Sequence, residues 1–425
     1  MKSKFAQRTA ITVSILLATG TMFTGCGNPA KSSQKVTLQV LNYKREAVDI
    51  LEELAADFEK ENPDIHIQLD SPSDATNILK TRLVKEDPPD IAMIGGDRAY
   101  ADFVDADIMV DLSGYAGLDK VQDVYLTMAK QLELRQKEGQ YCVPFASNAA
   151  GVLYNRDMFK ENGWEIPQTW NEFMSLCQTI RDSGTTPFYF MLKDSWTGIT
   201  PWNALAANLT TPDIYTEVSL GDTTFTENYA SSAHKMDELL EFGQSDPFAY
   251  GYNDGCTAFG NGESAMLLQG NWAIPQILSA NPDINIGAFT LPVSDQAGET
   301  LLVSGIDFCF TVMRDENLEA CEKFMDFMLR DENAARYYEN QNAVACLKGD
   351  FEVPQSLSEM ASYWEDGKVI DFPDHHYPAE LPAADMLQGY LMNKDLDTFL
   401  NKFDNEWQKT NRDLIAILKE EKKNW

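Results

Sequence analysis

The residues of this chain best suited to chemistry are aromatic rings and planar polar groups set beside turn residues. Trp196 and Trp202 lie in K-D-S-W-T-G-I-T-P-W-N, a stretch interrupted by glycine and proline, and Trp272 follows Gly270 and Asn271 in Q-G-N-W. Asp97 and Arg98 come directly after Gly95 and Gly96, where a small-residue turn leaves side chains accessible. Such a set suits reversible binding, because rings supply apolar burial while carboxylate, amide and guanidinium groups supply paired hydrogen bonds. Covalent chemistry has no matching pattern. There is no G-x-S-x-G elbow, no H-E-x-x-H, no G-x-x-x-x-G-K-S/T and no G-x-G-x-x-G after a strand. With only four histidines, and with His375 and His376 adjacent in a loop between Pro373 and Pro378, metal chemistry has thin support. No cofactor and no metal are expected. The 66 Asp and Glu residues always offer some suitable carboxylate pair, so composition alone does not exclude glycoside hydrolysis.

One cysteine stands apart. Lys2, Lys4 and Arg8 precede an apolar run over residues 10–18 and a small, polar stretch at Thr19, Gly20 and Thr21, the layout of a signal peptide. The run is well short of the roughly 20 residues that a membrane-spanning helix needs. Thr24-Gly25-Cys26 resembles the bacterial lipobox, with Phe23 in place of the usual leucine. That resemblance implies cleavage of residues 1–25 and lipidation of Cys26. Residues 26–34 then form a polar, turn-rich tether that moors a folded body to the outer face of the cytoplasmic membrane. The other cysteines, Cys142, Cys177, Cys256, Cys309, Cys321 and Cys346, show no C-x-x-C pair and no zinc spacing, and most sit in apolar contexts. Buried free thiols are the expected state; disulfides stay open, with no pairing assignable.

The net charge is −32, and loss of the three cationic residues of 1–25 makes it about −35. A surface so acidic repels phosphate backbones, and no basic stripe offsets it, so no nucleic-acid partner is expected. Four hundred residues exceed what one core usually supports, which implies two lobes. The elements alternate. V-T-L-Q-V-L-N at residues 36–42 reads as a strand, residues 50–58 carry apolar positions at helical spacing, I-H-I-Q-L at 65–69 alternates as a strand, residues 75–84 read as a helix, and D-I-A-M-I-G-G-D reads as a buried strand opening onto glycines. Strand and helix in turn imply parallel sheets flanked by helices. Long helices are expected near residues 318–339 and 396–419, with the chain crossing between lobes near Pro144-Phe145 and Ile306-Asp307.

The order of motifs resembles the family-1 extracellular solute-binding proteins of ABC transporters, a group that mostly carries sugars. The resemblance runs through A-A-D-F-E-K-E-N-P-D-I at residues 55–65, P-P-D-I-A at 88–92, P-F-A-S-N-A-A-G-V-L-Y-N-R-D-M-F at 144–159, Q-T-W-N-E-F at 168–173, F-G-N-G-E-S-A-M-L-L-Q-G-N-W at 259–272 and A-C-E-K-F-M-D-F-M-L at 320–329. It implies an α/β clamp of two periplasmic-binding-protein-like (type II) lobes, each a mainly parallel sheet flanked by helices. The first lobe would comprise residues 35–148 plus 304–348, the second residues 149–303 plus 349–425. The resemblance further implies a monomer that captures a carbohydrate without breaking its bonds and delivers it to permease subunits. A ligand-sensing receptor for a membrane kinase uses the same clamp and is the alternative, with a glycoside-active enzyme behind it.

Ligands of open α/β sheets lie beyond the carboxyl ends of strands, and a sugar needs planar hydrogen-bonding groups and rings there. The candidates are Asn42 and Tyr43 at the end of the first strand, Asp97 and Arg98 after the third, and Asn148 at the presumed crossover. To these are added Trp272, whose position the family often uses for stacking, Trp196 and Trp202, of which one stacks and the other packs, and Gly305 and Asp307 beside the second crossover. Ser304 borders the same crossover, and His375-His376-Tyr377 is a weaker late-loop candidate. The pair Tyr154-Asn155 reads as structural, with Asn155 capping a helix.

Overall fold

A computed structural model describes residues 35–135 and 137–423. The leader, Cys26 and the whole of the tether lie outside the described residues. Twelve strands form two sheets: β1 (Val36–Asn42), β2 (Ile65–Asp70), β3 (Ile91–Ile94), β4 (Val143–Ser147), β5 (Ala150–Asn155), β6 (Thr186–Phe188), β7 (Ser264–Gly270), β8 (Ile286–Phe289), β9 (Leu302–Val303), β10 (Ile306–Val312), β11 (Val344–Ala345) and β12 (Val369–Ile370). The first sheet has the order β11-β4-β10-β3-β1-β2; the second has β12-β9-β5-β7-β6, with β8 also paired to β5. The chain passes from one sheet to the other between β4 and β5, between β9 and β10, and again between β11 and β12.

The expectation of mainly parallel sheets is corrected: both are mixed. In the first, β1 runs parallel to β2 and β3, but β10 runs antiparallel to β3 and β4, and β11 to β4. In the second, β5 runs antiparallel to β7, β8 and β9, while β6-β7 and β12-β9 are parallel. The physical reason lies in the crossovers. A chain that leaves one sheet as β4 and returns as β10 enters from the other lobe, so its direction is not bound by the strand–helix–strand unit that enforces parallel pairing.

Burial explains why the sequence patterns look as they do. Edge strand β2 alternates, with Ile65 and Ile67 buried and His66 and Gln68 exposed, whereas β7 is buried at every position and shows no period of two. In β5, Ala150, Val152 and Tyr154 enter one core and Leu153 the other. The long helical stretches break once each, into Leu318–Met328 and Asp331–Gln341, and into Leu396–Thr410 and Arg412–Lys422. Asn155 accepts from the backbone N–H groups of Asp157 and Met158, both at 3.1 Å, and so starts the helix Arg156–Asn162. The six cysteines of the folded body are free and buried.

Candidate functional site

A crevice of about 480 Å3 opens where β4 crosses to β5 and where short turns follow the strands of the second sheet. Trp196 stands on the turn Ser195–Gly198 with 43% of its surface exposed, and its ring leans on Tyr252 at 4.9 Å and 48°. The other ring is Trp272, half-buried on the turn Asn271–Ala273 directly after β7, with Phe372 at 6.1 Å. Both indoles line the crevice.

The buried amide of Gln269 fixes this arrangement. Its Oε1 accepts from Trp272 Nε1 at 3.2 Å and from Thr200 Oγ1 at 3.4 Å, while its Nε2 donates to the carbonyl of Thr197 at 3.2 Å. One side chain thereby joins the turn carrying Trp196, the helix Ile199–Leu209 and the turn carrying Trp272. Gly270 is required by close approach: a Cβ there would stand 2.1 Å from the Trp272 ring. Asn271 closes the corner, accepting from the N–H of Ala149 at 3.0 Å and donating to the carbonyl of Asn342 at 3.2 Å.

The polar wall comes from the turn Pro373–His376 and two helices. Asn203 donates to Asp374 Oδ1 at 2.8 Å and accepts from the backbone N–H of Asp374 at 3.3 Å. Asp385, on the helix Ala383–Asn393, accepts from Ser195 Oγ at 2.7 Å. His375 Nδ1 lies 2.9 Å from Asp371 Oδ1. Burial works against its imidazolium, but Asp371, then Asp374 and Asp97, outweigh it and push His375 up to about 9. His376 instead stacks on Tyr215 at 4.2 Å and 11°, and burial brings it down to about 4. Burial likewise raises the carboxyl of Asp374, with His375 and Asn203 opposing.

The sequence candidates divide accordingly. Trp196, Trp272, Asn148, His375 and Tyr377 line the crevice. Asn148 donates to Asp307 Oδ1 at 3.4 Å, and its own Oδ1 is buried without a partner. Asp307 and Tyr43 lie behind it rather than in the lining: Lys44 pairs with the Asp307 carboxylate, and the Tyr43 hydroxyl donates to the Asp307 carbonyl. Asp97 sits on the first sheet's side, exposed, capping the helix Arg98–Asp105 through the N–H groups of Ala99 and Tyr100.

Four more candidates stand outside the crevice lining and are engaged in packing or hydrogen bonds, Trp202 being the tryptophan of the pair that packs. Trp202 is 1% exposed, donates to the Tyr377 hydroxyl at 3.3 Å and packs edge-on against Tyr229 and Phe399, so it is core. Asn42 is fully buried, and its amide is occupied by Lys44 and Ser71. Arg98 is held by Asp102, the carbonyl of His376 and Asn411, at 2.8, 3.4 and 3.0 Å. Gly305 serves packing: a Cβ would stand 2.7 Å from Asp371, His375 and Phe372.

Thr200, Asn203, Phe372, Asp374 and Asp385 were not among the candidates. The glycine and proline that interrupt this stretch conceal the helical phase that brings the first two to the crevice. On the helix Ile199–Leu209, positions 199, 200 and 203 share one face, the one turned to the crevice, while Trp202 points into the core. Asp374 lay one residue from the His375 candidate.

Two mixed sheets joined by three crossings, with a crevice beside the crossings lined by rings and hydrogen-bonding groups, define a two-lobed solute-binding protein. The sequence matches the bacterial extracellular solute-binding protein family over residues 44–335, and the chain belongs to that family, whose members bind and are located outside the cytoplasm. The Multiple sugar-binding protein of Streptococcus mutans is 28% identical over 406 residues, covering 91% of this chain and 95% of its own. MelE of Bacillus subtilis, a melibiose/raffinose/stachyose-binding protein, is 24% identical over 344 residues, covering 77% of this chain and 78% of its own. Among solved structures, ligand-free RafE of Streptococcus pneumoniae superposes with a TM-score of 0.79 at 25% identity, over 89% of this chain and 98% of that one. RafE in complex with raffinose superposes with a TM-score of 0.73, again at 25% identity, over 88% and 99%. No helix of the described residues is long and apolar enough to cross a membrane.

Proposed function

We propose that this chain captures a carbohydrate in the crevice between Trp196 and Trp272 and hands it to the permease subunits of an ABC transporter, with no bond of the sugar broken. The observation that carries the reading is the 43% exposure of Trp196 in a crevice that also holds Trp272, Asn203, Asp374 and Asp385. An indole left so open in a folded chain has its apolar face available to a ligand, and hydrogen-bonding groups within the same small volume match hydroxyls. The sugar-binding relatives and the raffinose complex of RafE support the same reading.

The proposed lobes comprise residues 35–148 plus 304–348 and residues 149–303 plus 349–425, acting as a monomer. Closure brings the Asp97 side over the crevice, so ligand binding shifts an open–closed population. The proposed mooring is a lipid on Cys26 after loss of residues 1–25, with residues 26–34 as tether. Incorporation of labelled palmitate into the wild-type protein, and its loss in Cys26→Ser, checks this.

A thermal-shift screen against neutral oligosaccharides, raffinose and stachyose included, tests the binding function. A ligand that binds only the folded state raises Tm, by a free energy of about 2.7 kcal/mol at a hundredfold excess over Kd. No shift with any carbohydrate, or release of cleaved sugar from one that binds, refutes the reading.

A further inference from the structure

The crevice lining offers more carboxylate acceptors than its one cationic side chain, His375, balances, and His375 is already bonded to Asp371. Asp374 gives one carboxylate oxygen to Asn203 and Asp385 gives one to Ser195, while the second oxygen of each makes no hydrogen bond to another residue among those described. No lysine or arginine among the described residues lines the crevice.

The cations nearby are already engaged. His375 is bonded to Asp371. Lys44 is paired with Asp307 and lies 3.6 Å from Glu46. Arg98 is held by Asp102, the His376 carbonyl and Asn411. His376 is kept neutral by burial, and Asp97, outside the lining, adds a further negative charge that acts on His375. Unoccupied carboxylate oxygens are satisfied only by donors. Sugar hydroxyls and ammonium groups donate, whereas a carboxylate or phosphate group accepts and adds like-charge repulsion in a partly desolvated space.

We propose that Asp374 and Asp385 make the crevice a charge filter that admits neutral or ammonium-bearing carbohydrates and rejects uronates and sugar phosphates. The filter rests on the carbohydrate reading above, and it names the class of sugar that this site takes.

The test uses the whole folded chain in titration calorimetry with raffinose, stachyose and maltotriose, each also as two derivatives in which one primary alcohol is oxidised to a carboxylate or replaced by an amine. The amine derivative controls for the change of shape. The expected result is that the amine form binds within a few-fold of its parent and the carboxylate form at least tenfold more weakly. That gap narrows at about 0.5 M salt, where exposed charges are screened beyond a few Å, and narrows in Asp385→Asn, an exposed site whose change spares the fold. Asp374→Asn is the companion variant. A carboxylate derivative that binds as tightly as its parent overturns the filter and leaves the carbohydrate reading standing. An unchanged gap in both variants overturns the assignment to these two residues. Binding by none of the neutral sugars overturns the carbohydrate reading, and the filter falls with it.

Discussion

Trp196 and Trp202, six positions apart, do opposite work, and single substitutions separate them. Trp196 rests on Tyr252 by one part of its ring and is otherwise open, so Trp196→Ala is expected to leave Tm within a degree or two while weakening sugar binding by about 1–3 kcal/mol, the scale of an aromatic anchor at a binding hot spot. Trp202 is enclosed by Tyr229, Phe399 and the Tyr377 hydroxyl, so Trp202→Ala opens a cavity and is expected to cost about 3–5 kcal/mol of stability. Denaturant unfolding and calorimetry on the two variants check the pair; equal loss of stability in both sinks the distinction. The histidines supply a second contrast at this scale. Because His375 rises from its ordinary 6.5 to about 9 on folding, its stabilisation is fully present below pH 6.5 and is lost as pH climbs through 9. His376, lowered to about 4, acts in the reverse sense, stabilising above pH 6.5 and losing that contribution as pH falls through 4. Melting curves are therefore expected to show Tm declining between pH 6.5 and 9 in the wild type and a flatter profile in His375→Gln. A variant with the same decline would show that another group titrates there.

The elements that position the site differ in how openly the sequence displays them, and the difference follows burial. Strand β2 and the helix Val48–Glu61 were legible because each keeps one face toward water, which prints a period on the sequence. The helix Ile199–Leu209 was not, since nine of its eleven residues are buried and no polar face marks its phase. Without that phase the sequence does not show that Trp202 points into the core and Asn203 into the crevice. Direction within the sheets was equally hidden, because pairing across a crossover joins segments more than a hundred residues apart, such as β3 with β10. The rings of the site were visible as types in Q-G-N-W and K-D-S-W, but the groups that aim them were not: Gln269 is an ordinary strand residue until β7 and the turn Ser195–Gly198 come together. Gly270 tests this element-level support. Its position leaves no room for a methyl group against Trp272, so Gly270→Ala is expected to push the indole out of the crevice. The cost in stability is about 1–3 kcal/mol from overpacking, and affinity falls by about as much as in Trp272→Ala. Retention of full affinity, measured by calorimetry on the folded variant, would show that the ring does not need this close approach.

At the scale of the whole molecule, the two sheets are linked by three chain crossings and by a side-chain tie made by Arg98, a residue whose motif first suggested ligand contact. Arg98 begins the helix after β3 in the first sheet's body, yet its guanidinium reaches the His376 carbonyl and Asn411, at the junction of the helices Leu396–Thr410 and Arg412–Lys422. Arg135 extends the same seam toward Glu421 at 3.8 Å, and both arginines, with Lys130, Tyr215 and Leu418, line another crevice of about 530 Å3. A clamp that works by population shift must keep its open and closed forms within a few kcal/mol of each other, and a charge-assisted tie worth about 1.5–3 kcal/mol is large on that scale. Arg98 contacts the peptide group of His376, next to His375 in the crevice wall, so releasing it both frees the lobes and loosens the segment that bears Asp374. Arg98→Ala is therefore expected to raise the radius of gyration of the ligand-free protein in X-ray scattering. A saturating sugar restores the wild-type value, at an affinity lowered about tenfold or more, because closure must then be driven by the ligand alone. Arg98→Lys keeps the charge but cannot bridge two acceptors in one plane, and is expected to fall between the two. Scattering curves and affinities identical in all three proteins would show that the tie holds a surface corner and has no part in setting the distance between the lobes.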